Sequence, residues 1–349
     1  MSANRIFAIV FVLVIFFLSI STVALACIEG NFTRLPSMLW EEEFFNRARA
    51  AIDKAIGVVQ VNGIYVSDNS LIKITPEPDD DITQSNIQTL KTFSSSVSTP
   101  VYTMIVPTAN VILQNELPDY ASIWDQNEYI DNLYKSLVTT SVVVPSYDTL
   151  FVNNNKYIFY RTSDQITSLG GYYLYKNLSQ KLGFYPQNID DFNIEYYSGN
   201  YFGELFDATG YRDIEGDDIS FYRSAFYDRN IVTSVYDNKG NKAVYNDIFT
   251  DPITNDLLTC YPGGTFPVTN IENKVVNGNK LLIISDKTIK SVASFLVDNY
   301  EVITNINPFA DTYNYTAALD IDEYDQILFM FTVDTFGQQK LDKILQVFD

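Results

Sequence analysis

The chain has 349 residues, enough for one large domain or two modest ones, and its 46% hydrophobic and 15% aromatic content excludes a disordered polymer. With 43 acidic against 23 basic residues it carries a net charge of −20. It has no basic run with which to displace phosphate counterions, which excludes a nucleic-acid partner. There is no histidine, so a Ser-His-Asp triad and a His-ligated metal are excluded, and any acid–base chemistry must use carboxylates, Lys, Tyr or Cys.

Residues 1–30 read as a leader. Ile6–Ala26 is a run of 21 residues without a charge, behind Arg5, and a helix rising 1.5 Å per residue spans a bilayer core of roughly 30 Å at that length. Three alternatives fit: an uncleaved signal anchor, a signal peptide cleaved after Ala26, and a leader lipidated at Cys27. All place the remainder outside the cytoplasm, held to the cell membrane by this segment or secreted. Residues 31–57 read as a polar stalk and a first helix, Glu41–Ile56, whose early acids and later bases suit the helix dipole. The two cysteines, Cys27 and Cys260, read as free thiols.

Residues 58–349 read as the main domain. Val58–Ile74 alternates in polarity and is broken at Asn62-Gly63 and Asp68-Asn69, which predicts short hairpins. Pro76–Asp81 reads as a turn with a solvated charge run. Then come a helix over Ile82–Ser98, a strand over Val101–Val106, a helix over Glu128–Leu137 and a short strand over Ser141–Val144. Tyr157–Tyr160 reads as a strand leading into a helix over Thr167–Leu182. Residues 192–267, rich in Tyr, Asn and Gly, read as an irregular β-rich insertion. Beyond it lie the strand Lys280–Ser285, a helix over Thr288–Asn299, strands over Glu301–Asn305 and Gln326–Val333, and a closing helix over Phe336–Val347. Continuous apolar strands alternating with helices predict an α/β fold: a three-layer sandwich around a mostly parallel sheet of about five strands.

Sites in open α/β sheets sit at the carboxyl ends of strands. Three loops qualify: Ser163–Thr167, Gly263–Pro267 and Ser285–Thr288. At these loops the chain resembles the DHHW-motif proteins, relatives of the SGNH hydrolases and of the alginate O-acetylation proteins. Their motif reads roughly Tyr-Arg-Thr-Asp-His-His-Trp-Thr-Ser-Leu-Gly-Ala-Tyr-Tyr. Tyr160, Arg161 and Thr162 match before the core, and Thr167, Ser168, Leu169, Gly170, Tyr172 and Tyr173 match after it. The four naming positions hold Ser163, Asp164, Gln165 and Ile166. The family's Gly-Gly-Asn-His-Pro is here Gly263-Gly264-Thr265-Phe266-Pro267, and its strand-end Asp-Ser is Asp286-Lys287. The resemblance extends from Ile56–Tyr65 through Val106–Ala109 to Gln326–Val333.

The resemblance implies an SGNH-hydrolase-like fold and a vestigial site at Ser163, Asp164, Gln165, Ile166, Thr265, Phe266, Asp286 and Lys287. Acyl transfer needs a nucleophile, a base and oxyanion donors. Ser163 has no aligned base, Asp164 is a weak one, and Lys287 would form a stable amide. The expectation is a pseudoenzyme without cofactor or metal that binds cell-envelope polysaccharide or assists an O-acetylation membrane protein. Two alternatives stay open: an esterase or O-acetyltransferase with a rebuilt, histidine-free site, and a structural or regulatory partner of an active paralogue. Lys287 is expected to pair with Asp286 or Asp164. Tyr196, Tyr197 and Tyr201 are candidate glycan contacts. Cys260 reads as a small core residue. Asp217-Asp218 and Asp320–Glu323 read as solvated turns.

Overall fold

In the computed structural model, residues 60–211, 213–225, 231–252, 256–274, 278–310, 320–342 and 344 are described, with backbone alone at 198–200. The leader, the stalk, the Glu41–Ile56 helix and Cys27 lie outside them. Among the described residues no helix is long and apolar enough to cross a membrane.

Three short strands come first, β1 (Gln60–Val61), β2 (Ile64–Val66) and β3 (Leu71–Lys73). They pair antiparallel in order. Asn62 and Gly63 both have positive φ, +52° and +76°, as a two-residue turn between right-twisted strands requires. Helix α1 (Asp80–Ser96) starts inside the acidic run: the Asp79 carboxylate accepts from the Ile82 N–H at 2.9 Å, and Asp80 and Asp81 face the positive end of the helix dipole. The charge run is therefore a helix cap and first turn.

Strand β4 (Val101–Val106), the short helix α2 (Ala109–Ile112), α3 (Gln126–Leu137), β5 (Val142–Val143) and α4 (Tyr147–Val152) follow. Helix α5 (Ser168–Leu182) is capped by the Thr167 hydroxyl and closed by Gly183 at φ +92°. The insertion supplies β6 (Phe192–Tyr201), α6 (Glu204–Thr209), β7 (Asp217–Ser224), β8 (Ile231–Tyr236) and β9 (Lys242–Tyr245). The chain continues through β10 (Val268–Asn273), β11 (Lys280–Ser285), α7 (Ala293–Leu296), β12 (Val302–Ile306), β13 (Gln326–Thr332) and α8 (Val333–Gln338).

The main sheet has eight strands in the order β5-β4-β13-β11-β12-β10-β8-β9. The first five are parallel, as the alternation of strands and helices predicts. The last three add on antiparallel, so the insertion's β8 and β9 extend the central sheet, while its β6 and β7 pair apart from it. Alternate residues of β11 and β13 face opposite layers. Leu282, Ile284, Phe329 and Phe331 pack with Leu90 and Phe93 of α1 and with Leu133 and Leu137 of α3. Leu281, Ile283, Leu328 and Met330 share the other core with Leu174, Tyr175 and Leu178 of α5 and with Phe295. Each such buried side chain stabilises the fold by about 1.5–3 kcal/mol relative to exposure, and the two cores make the three layers.

Three expectations need correction. Tyr157–Tyr160 forms no strand; it is a loop closed by one bridge between Phe159 and Ile166. The helix expected over Thr288–Asn299 is a 3-10 turn, Lys287–Ser291, followed by the single turn of α7. The Asp286 carboxylate caps that tight turn by accepting from the Thr288 N–H. The closing helix begins early, at Val333, because the Thr332 hydroxyl accepts from the Thr335 N–H, and it is interrupted after Gln338; Ile344 is helical again, and residues 343 and 345–347 of the expected helix lie outside the described residues. Residues 60–206 and 214–349 form one unit; the other comprises 1–59 and 207–213.

Candidate functional site

The four residues at the motif core split their duties. Ile166 is buried in the core beside Phe159. The Gln165 carbonyl accepts from the Tyr160 N–H at 3.1 Å, closing the loop. Ser163 is 1% exposed. Its hydroxyl donates to Glu204 Oε1 at 3.0 Å, and the Asp164 N–H donates to the same oxygen at 2.9 Å.

No local pattern in the sequence marks Glu204 as a site residue. It opens α6 in the insertion, 41 residues beyond Ser163 in the chain. Its approach depends on Gly203, where a Cβ would stand 2.7 Å from Ser163 Cβ and 2.7 Å from the Thr162 carbonyl. Ser163 therefore does have a carboxylate partner. Burial, then the neighbouring charge of Asp164, push the Glu204 carboxyl up, which strengthens it as a base.

Asp164 faces a cation. Its Oδ1 is ion-paired and hydrogen-bonded to Lys287 Nζ. Lys73 Nζ lies 3.8 Å from its Oδ2 and 2.9 Å from Asp334. Burial pushes the Asp164 carboxyl up, but Lys287, a hydrogen bond from Glu204 and Lys73 outweigh it and hold it below the usual carboxylate range. Burial pulls the Lys287 ammonium down, and Asp164 more than reverses this. Lys287 stays a cation, without the lone pair that attack on an acyl carbon requires. Its side chain is 41% exposed, so the pair adds about 1 kcal/mol or less to stability.

The second amine of the turn differs. Burial pulls Lys290 down to about 8, with Asp256 opposing and Lys287 assisting. Asp164, Lys287 and Lys290, with Thr288, Ser291 and Thr332, line a crevice of about 20 Å³, room for one water-sized guest.

Asp286 takes no part in that lining. One of its oxygens accepts from the Thr288 N–H at 2.8 Å; the other accepts from the Thr332 N–H at 2.8 Å and its hydroxyl at 3.0 Å. It pins the 3-10 turn to the end of β13. In the second loop, Gly263 and Gly264 have φ of +81° and +69°. Asn305 accepts from the Gly264 N–H at 2.9 Å, and Asn307 donates to the Gly264 carbonyl at 3.0 Å. A Cβ on Gly264 would stand 2.8 Å from Lys287 Cα, so the glycine pair lets this loop lie against the third one. Thr265 and Phe266 do not line the crevice. Cys260 is a buried free thiol whose pKa burial raises.

The loop before the motif core hangs on Asp217, which is wholly buried and no solvated turn. Its carboxylate accepts from the Arg161 N–H at 2.6 Å, the Thr162 N–H at 3.0 Å, and the Thr162 and Tyr157 hydroxyls. Arg161 stacks on the Tyr157 ring at 4.6 Å. Of the candidate glycan contacts, Tyr196 and Tyr197 are exposed. Tyr201 is buried against Tyr160 and donates to Asp256 at 2.9 Å, so its ring is not offered to a ligand.

The structure is similar to a DHHW family protein from Eubacterium siraeum, with a TM-score of 0.70 and 20% identity, covering 83% of this chain and 97% of that one. It is also similar to PatB1 of Bacillus cereus, whose structure carries a sulfonyl adduct, with a TM-score of 0.65, 15% identity, and coverage of 79% and 96%. At these identities the likeness shows a shared fold, the three-layer α/β sandwich. No curated protein matches the chain. The family model described as DHHW protein matches residues 47–306, well over half the chain. This protein is a member of the DHHW family.

Proposed function

We propose that the protein is a catalytically inactive member of its family, held at the outer face of the cell membrane by its N-terminal segment. There it binds cell-envelope polysaccharide or assists the machinery that O-acetylates it. One observation carries the loss of catalysis. Lys287 stands at the position of the family's nucleophilic serine and Asp164 at that of its first histidine, and the two are joined in an ion pair. A protonated amine bound to a carboxylate supplies neither a nucleophile nor a base. The crevice they line holds about 20 Å³, too little for an acyl donor.

A rebuilt histidine-free site has one observation in its favour, the Ser163–Glu204 hydrogen bond. Burial of Ser163 opposes it, since no acyl carbon reaches a hydroxyl that is 1% exposed. Treatment with phenylmethanesulfonyl fluoride followed by intact-mass and peptide analysis tests the choice. The expected result is no adduct in the crevice. A stoichiometric sulfonyl adduct on Ser163 would reinstate an active site, as would one on Lys287.

A further inference from the structure

A second, larger cavity lies away from the crevice. It measures about 370 Å³, in the lower part of the roughly 300–1,000 Å³ range of small-molecule sites. Tyr157, Tyr160, Tyr196, Tyr222, Asp218 and Ser168 line it. None of them lines the crevice.

The strand pair β6–β7 builds one wall. Register places Tyr196 opposite Ser220 and Ile194 opposite Tyr222. Side chains alternate along a strand, so Asp218, Ser220 and Tyr222 share the face that carries Tyr196. Tyr197 falls on the other face, where its ring meets Phe221 edge-on at 5.4 Å. Of the three tyrosines expected to meet glycan, one is at the cavity.

The chemistry of the lining is specific. Tyr196 is 65% exposed, an open aromatic surface beside the cavity. Tyr222 is 5% exposed and lines the cavity, where its hydroxyl is open to solvent. A hydroxyl in the cavity wall offers a polar guest a donor and an acceptor in place of water. Asp218, paired with Arg161 at 4.0 Å, adds a half-exposed carboxylate acceptor at the rim. Flat apolar rings interleaved with hydroxyls and a carboxylate match a pyranose, which presents an apolar C–H face and a girdle of hydroxyls. Net charge decides between neutral and acidic sugars: a chain at −20 repels uronates and phosphorylated glycans.

We infer that this cavity binds a pyranose unit of a neutral polysaccharide, with the sugar face on Tyr196 and its hydroxyls on Asp218 and the Tyr222 hydroxyl. The inference rests on the glycan-binding reading above and places its site in the tyrosine cavity. Affinity electrophoresis of the full chain tests it, through gels containing galactomannan, xylan, mixed-linkage β-glucan or dextran, with alginate as the acidic contrast. The expected result is retardation by at least one neutral polymer and none by alginate. Tyr196→Ala and Asp218→Asn should each weaken that binding about tenfold or more, with Tyr197→Ala and Lys287→Ala unchanged. Both sensitive positions are solvent-facing, so their variants fold. Binding that survives Tyr196→Ala and Asp218→Asn overturns the cavity assignment while leaving glycan binding in place. Wild-type protein retarded by none of the neutral polymers, or by alginate alone, overturns the inference as a whole. The first of these results also removes the direct support for polysaccharide binding.

Discussion

Asp217→Ala is expected to cost about 4 kcal/mol of stability, a large share of the roughly 5–15 kcal/mol that holds a domain of ordinary stability together. The carboxylate is wholly buried and accepts four hydrogen bonds, from two backbone N–H groups and two hydroxyls. Truncation removes the acceptor and leaves four donors facing a void. A buried unsatisfied donor costs about 1–3 kcal/mol, and the sum is discounted because water enters and the hydroxyls rotate. Asp217→Asn should fall between wild type and Ala, since its carbonyl oxygen still accepts while its amide confronts two donors. The neighbouring Asp218→Asn is the control. Its side chain is 43% exposed, and its cost should stay within about 0.5 kcal/mol. Urea midpoints at unchanged slope measure all three. An Asp217→Ala midpoint equal to wild type would mean that the carboxylate does not hold the motif loop.

Gly171→Ala is expected to destabilise by about 3 kcal/mol. In an exposed helix interior the same change stabilises by up to about 1 kcal/mol, because glycine loses the most backbone entropy on folding. Here the sign reverses. A Cβ on Gly171 would stand 1.8 Å from the Ser291 carbonyl oxygen and 2.4 Å from its carbon, both backbone atoms of the 3-10 turn Lys287–Ser291. Nothing flexible is available to yield, so α5 must lift from the turn, and overpacking of this kind costs about 1–3 kcal/mol or more. The family motif carries alanine at this position; in this chain the turn that bears Lys287 leaves no space for one. Thermal melts of Gly171→Ala against wild type read the effect, and an unchanged or raised midpoint would contradict this packing.

These two residues show what a sequence reveals of such a site. The strands β4 and β11 were legible to the residue because VYTMIV and KLLIIS are continuous apolar runs, and a strand covered on both faces needs no alternation. The helix after the motif was legible because Thr167 and Gly183 punctuate it. The hairpin β8–β9, whose β9 is the sheet edge, was blurred by mixed polarity. Register and contacts over long separations were not legible at all. Glu204 reaches Ser163 across 41 residues and Asp217 reaches Arg161 across 56. A lone Glu after Gly203 and an Asp-Asp pair carry no local pattern that marks them as buried partners. Their only signal was the irregular composition of the insertion that delivers them. The ion pair between Asp164 and Lys287 was accessible only by aligning both positions to the family motif, because 123 residues separate them.

The central claim is that acyl-transfer chemistry has been replaced by that ion pair. The most direct test is the rate of p-nitrophenyl acetate hydrolysis by the full chain, with Ser163→Ala, Glu204→Gln and Lys287→Ala measured beside it. The expected result is that all four proteins match a heat-denatured control. A wild-type rate above that control, abolished by Ser163→Ala and by Glu204→Gln or by Lys287→Ala, would contradict the claim and establish a histidine-free active site.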